Sequence, residues 1–316
     1  MIDVRESARF VMENADHVSI DESAIPGLAK NLLPLPVPNW DCVHHYCDGT
    51  ARTVAYLLVV DALNFCFFPA PRWEVVVDGE RLSGYFALTS VLKQALLAGR
   101  PIDNFAYLAR ISDDEAREIL HGEVKIGEIP LFDERVAIMR EIGRRMTELY
   151  SGRPEQLIAA AGKSALRMVE LVLEAFPSFR DEASYKGERV AFYKRAQIFA
   201  GDLYACFAGR SYGEFHDIAR LTAFADYKLP QLLRAAGVMR YSEDLAAKID
   251  NEEWIEAGAP EEVEIRAATI VSVELLRDAL ARKGRQLLSL ELDWLLWHAS
   301  QDREMAPHHR TLTTFY

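Results

Sequence analysis

Leu229-Pro-Gln-Leu-Leu-Arg-Ala-Ala-Gly237-Val-Met-Arg-Tyr-Ser242-Glu-Asp-Leu245 is the stretch on which the fold turns. Proline in a first helical turn gives up an N–H that would have no partner there, so a short helix opens at Pro230. Gly237 tolerates the left-handed conformation that stops it, and the Ser242 hydroxyl caps the helix that follows. The segment reads as two short helices joined by a tight turn. Around it, apolar residues recur at three-and-four spacing over 4–14, 21–33, 134–150, 155–175, 189–207, 262–280 and 289–299. Residues 51–65 form a more apolar run, a buried helix ending near Pro69, and 86–98 are helical again. Ser112-Asp-Asp-Glu115 has the spacing of a capping box. One stretch breaks the pattern: Trp73-Glu-Val-Val-Val-Asp78-Gly79 is a strand running into an Asp-Gly turn, with 81–85 returning. The expectation is a mainly α fold with one small β-hairpin near residues 73–85.

At 316 residues the chain is long enough for one compact domain, 1–316, with two packed lobes (about 1–180 and 181–316) as the alternative division. The turn-rich, charged segment 177–186 marks that boundary. The net charge of -12 argues against a long DNA or RNA track, because neutralising phosphates supplies most of such binding. A small ligand is favoured. Cys42, Cys47, Cys66 and Cys206 are too few for a disulfide framework. No leader pattern opens the chain and no apolar run reaches membrane length, so a cytoplasmic setting without membrane contact is expected. Cys42-Val-His44-His45-Tyr-Cys47 crowds its ligands into six residues without a second pair downstream, and no metal is expected. No coiled-coil seam is present, and a monomer is expected.

Two acids stand among aromatics in the last third, in Thr222-Ala-Phe-Ala-Asp226-Tyr-Lys-Leu-Pro-Gln231 and Ser289-Leu-Glu-Leu-Asp293-Trp-Leu-Leu-Trp297. Ionised carboxylates are costly to bury, so acids in such company point to function. Aromatic faces beside carboxylates suit a flat, hydrogen-bonding heterocycle. A nucleobase site is the reading.

Leu63-Asn-Phe-Cys-Phe67, Ser83-Gly-Tyr85, Phe176-Pro-Ser-Phe-Arg180, Phe192-Tyr-Lys-Arg-Ala-Gln-Ile198, Phe224-Ala-Asp-Tyr227 and Glu262-Val-Glu-Ile-Arg266 together resemble the queuosine-salvage N-glycosylase family. The likeness includes Leu292-Asp293 with Trp297 and runs to Phe315-Tyr316. It implies a fold like that of the helix–hairpin–helix DNA glycosylases. It also implies release of queuine from queuosine 5'-monophosphate, a small nucleotide, without a cofactor. A non-catalytic binding module for a modified nucleobase is one alternative. A DNA glycosylase is another, opposed by the acidic charge.

Ser289, Asp293 and Trp297 share a helix face if Ser289 caps that helix. Glycosidic cleavage develops positive charge on the sugar, which a carboxylate can stabilise or attack. The resemblance places the catalytic aspartate at Asp293. Asp226 can accept the paired N–H donors of a guanine-like edge, with Phe224 and Tyr227 against the ring. Capping of the helix at Pro230 is its structural alternative. Ser289 and Trp297, on the face of Asp293, are further candidates for the base site, and the resemblance adds His44. Lys194, Arg195 and Lys228, with Arg266 as an alternative, are candidates for the 5'-phosphate. Asp202 is a candidate second acid or water-orienting group.

Overall fold

The computed structural model describes residues 1–68, 71–121, 124–301 and 305–316. It is mainly helical, with small antiparallel sheets. Helices Lys228–Ala235 and Glu243–Asp250 flank Gly237 (φ +72°), and Ser242 Oγ accepts the Leu245 N–H at 3.3 Å. The join is more than a turn. Met239–Tyr241 is a strand, paired antiparallel with Val18–Ile20 so that Val18 faces Tyr241. The N-terminal segment is thereby fastened to the C-terminal half.

The expected strands form at Glu74–Val77 and Glu80–Ser83, and Val124–Ile126 adds a third to their sheet. A second hairpin, Glu182–Tyr185 with Glu188–Ala191, corrects the expectation of a single one. Its turn residues, Lys186 and Gly187, both have positive φ, as a two-residue hairpin turn demands. In consequence the helix expected from residue 189 begins only at Lys194 and runs to Cys206. The helix expected over 155–175 is two, Pro154–Ala161 and Ala165–Ala175, broken where Gly162 and Lys163 turn left-handed. Helix Ala51–Ala62 ends earlier than expected; Pro69 lies outside the described residues. Among the described residues no helix is long and apolar enough to cross a membrane.

Helix Pro260–Arg282 supplies Val263, Ala267 and Ile270 to one apolar cluster and Ile265, Ala268 and Val273 to another. Because it is covered on most sides, its polar residues need internal partners. Glu264 accepts the peptide N–H groups of His17 at 2.6 Å and Val18 at 3.0 Å, and the Tyr185 hydroxyl at 2.8 Å. Arg266 grips Asp181 in a two-pronged pair at 2.7 and 2.6 Å and lies over the rings of Phe192 and Tyr316. Both side chains of that pair are only 3% exposed. Arg266→Met is therefore expected to cost about 3–5 kcal/mol, because it strands a buried carboxylate. The readout is the urea midpoint at unchanged m-value; a loss under about 1 kcal/mol would show that Asp181 has another sufficient partner.

Candidate active site

A cavity of about 490 Å³ opens between helices Lys194–Cys206 and Ser289–Gln301 and the segment 222–231. Lys194, Ile198, Asp202 and Ala205 reach it from successive turns of the first helix. Asp293, Trp294 and Trp297 reach it from the second, and Phe224, Asp226, Tyr227 and Lys228 from the segment between.

Asp293 is 4% exposed, and its Oδ2 accepts the Phe224 N–H at 2.8 Å. Among the described residues no donor meets Oδ1. Burial, with the charge of Asp226 added, pushes this carboxyl well above the usual carboxylate range; the Phe224 N–H and Lys194 oppose the rise without cancelling it. Leu288 precedes the helix and its N–H bonds to Glu291, while Ser289 is the first helical residue. Once ionised, a carboxylate so poorly solvated gains most from a cation that forms beside it.

Asp226 takes the capping role and keeps one oxygen outside it. Its Oδ1 accepts the N–H groups of Lys228 (2.9 Å) and Leu229 (3.0 Å), capping helix Lys228–Ala235, while Oδ2 has no donor among the described residues. Burial raises this carboxyl too, against the pull of Lys194. Phe224 lies between the two acids, and its ring fits because residue 201 is glycine: a Cβ there would stand 3.0 Å from the ring. Tyr227 packs edge-on against Phe68, and Trp297 against Tyr85 and Phe86. Lys194 is 4% exposed and donates to the Asn64 carbonyl at 2.9 Å. Burial brings its ammonium down to about 8, while the charges of Asp226, Asp293 and Asp61 support it. It is the cation that these acids share.

Asp202 meets a residue that sequence reading passed over. Asp61, fully buried on helix Ala51–Ala62, faces it carboxyl to carboxyl. Two such groups in contact hold a proton between them. Burial pushes Asp202 up to about 7, and burial with Asp202's charge pushes Asp61 well above its ordinary range. An unfolded aspartate ionises near 3.8, so the stability Asp202 contributes is complete below that pH and lost as pH rises through about 7. Asp202→Asn is expected to stabilise the fold by roughly 2–4 kcal/mol at pH 8, at about 1.4 kcal/mol per unit of displaced pKa. The gain should shrink as pH falls towards 4. Urea titrations at several pH values read it, and a gain independent of pH would dismiss the shared proton.

Four sequence candidates do not line the cavity. Arg195 is 1% exposed and donates to the carbonyls of Ala62 and Ser178. Ser289 bonds to Glu274 at 2.6 Å and to Arg277 at 3.1 Å. His44 is held by Asp41 at 2.6 Å and lies tilted against Phe86, whereas its neighbour His45 is in the cavity wall. Arg266, held by Asp181, is also away from it. Sequence reading missed Tyr85, His45, Arg72, Trp294 and His308, all in the wall. Tyr85 had appeared in the Ser83-Gly-Tyr85 string, which was the available signal.

A helical protein with a cavity of this size, walled by aromatics and buried acids, is of the class that takes a small ligand in a largely enclosed pocket. Residues 44–316 match the family model described as Queuosine salvage protein, and the chain belongs to that family. It is 47% identical over 317 residues to the queuosine 5'-phosphate N-glycosylase/hydrolase of Sphaerobacter thermophilus, covering 99% of this chain and 97% of that one. Proteins of the same name from Dictyostelium discoideum and Mus musculus are each 36% identical, over 99% of this chain and 98% of theirs.

Proposed function

We propose that this protein hydrolyses the N-glycosidic bond of queuosine 5'-monophosphate and releases queuine for tRNA modification. The observation that carries the reading is the placement of Asp293 and Asp226 around Phe224, each with one oxygen engaged by the backbone and one left for a ligand. The free oxygen of Asp226 accepts from the donor edge of the base. Phe224, Tyr227 and Trp297 flank the ring. As the bond from C1' to the base nitrogen breaks, its electron pair stays on the base and positive charge grows on the sugar beside Asp293 Oδ1. Asp293 stabilises that charge or bonds to C1', and a water completes hydrolysis by giving its hydroxyl to the sugar and its proton to the base. No cofactor enters this scheme. Lys228, with Arg72 beside it in the wall, is the choice for the 5'-phosphate.

We read the paired helices around Gly237 as the hairpin of the glycosylase-like fold, in a monomeric, single-domain cytoplasmic enzyme. A DNA glycosylase is disfavoured by the net charge of -12. Chromatography of the purified protein with queuosine 5'-monophosphate, queuosine and guanosine monophosphate tests the proposal. Queuine released fastest from the queuosine monophosphate supports it. No base released at high enzyme concentration rejects it, and a ligand-induced rise in melting temperature in those samples would favour a binding module.

A further inference from the structure

The Asp61–Asp202 pair is costly to bury, and the scheme above makes no use of it. Asp202 is 3% exposed and lines the cavity; the Tyr85 hydroxyl reaches its carboxyl, but among the described residues its buried Oδ2, and both oxygens of Asp61 behind it, meet no donor beyond the proton the pair shares. A buried acid that faces a ligand cavity without a donor is completed by the ligand. The cations nearby do not complete it. Lys194 is committed to the Asn64 carbonyl and faces Asp226 and Asp293 as well, and Arg195 is held by the carbonyls of Ala62 and Ser178. His45, across from Tyr85 at 3.0 Å, is kept neutral by its burial and does not compete.

We propose that Asp202, backed by Asp61, is an ammonium subsite that recognises the protonated secondary amine on the side arm of the base. This rests on the reading of the cavity as the queuosine 5'-monophosphate site. The layout fits that substrate. Asp293 lies within the influence of both Asp226 and Asp202. In a 7-deazaguanine nucleotide the donor edge and the arm-bearing carbon lie on opposite flanks of the glycosidic nitrogen. Asp226, Asp202 and Asp293 line one cavity, so each flank of the base can meet a carboxylate of its own while Asp293 meets the bond. The aromatic residues Tyr85, Trp40 and Trp297 line the same wall. The pair's shared proton lets the subsite stand empty at modest cost, and an arriving ammonium displaces that proton to the solvent. Selection against plain guanine nucleotides, which lack the arm, follows.

The test compares wild type with Asp202→Asn on queuosine 5'-monophosphate and on 7-deazaguanosine 5'-monophosphate, which shares the leaving ring but has no arm. In the variant, KM for the armed substrate should rise about 10- to 100-fold with kcat within a few-fold, the range of one charge-assisted hydrogen bond. The preference for the armed over the armless substrate should fall by the same factor. Equal loss of kcat on both substrates would overturn the proposal and make Asp202 a proton donor. An unchanged preference would overturn it too, leaving the pair a structural feature. Circular dichroism at pH 6 verifies that the variant is folded. If wild type cleaves neither substrate, the hydrolase reading fails on its own account. Melting shifts with queuine against 7-deazaguanine, in wild type and variant, would then still decide whether Asp202 recognises the arm.

Discussion

Asp293→Asn is expected to lower kcat on queuosine 5'-monophosphate by about 10³-fold or more, roughly 4 kcal/mol of transition-state stabilisation, while affinity for queuine changes only a few-fold. Asparagine keeps the carbonyl oxygen that receives the Phe224 N–H, so the segment carrying Phe224 and Asp226 holds its position. What is lost is the negative charge, and that charge matters only when the sugar becomes cationic. A change made in the transition state alone appears in kcat rather than in binding. Single-turnover rates and calorimetric titration with queuine separate the two. A variant with near-wild-type turnover would remove Asp293 from the chemistry; one that loses queuine binding equally would make it a base contact.

The second large effect is expected at Asp226. Asp226→Asn should reduce kcat/KM by about 10²–10³-fold, since the one oxygen left for the donor edge of the base becomes an amide NH2 that opposes those donors. The fold should lose less than about 1 kcal/mol, because asparagine caps a helix nearly as well as aspartate. That contrast between function and stability distinguishes base recognition from the capping of Lys228 and Leu229, which the structure also shows. Unchanged kcat/KM would reduce Asp226 to its cap.

Neighbouring residues illustrate how far each level of description reaches. Lys194 and Arg195 were equal candidates as a string of letters. Successive helical residues point about 100° apart, and this sends one to the cavity and the other to the carbonyls of Ala62 and Ser178. His44 and His45 divide in the same way on a loop. The Lys186-Gly187 hairpin carried a readable turn signal, but helical spacing after it concealed the short strand of Glu188–Ala191. Val124–Ile126 has too few residues for a periodicity of its own, and the long-range pairing with Glu74–Val77 makes it a strand.

By itself the sequence determined the mainly helical class, the positions of most helices, the two short helices about Gly237, and the choice of Asp226 and Asp293 as acids set among aromatics. These follow from local causes: periodicity, caps, the conformational needs of glycine and proline, and the cost of burying charge. The tertiary structure decided which side chains share the cavity. Asp61 and Asp202 are 141 positions apart by number, and Asp181 and Arg266 are 85 apart. Their partnerships, and the displaced ionisation of the first pair, come from desolvation and contact between segments distant in the chain. Neither residue type nor local spacing encodes that proximity, and only the packed chain brings those charges together out of water.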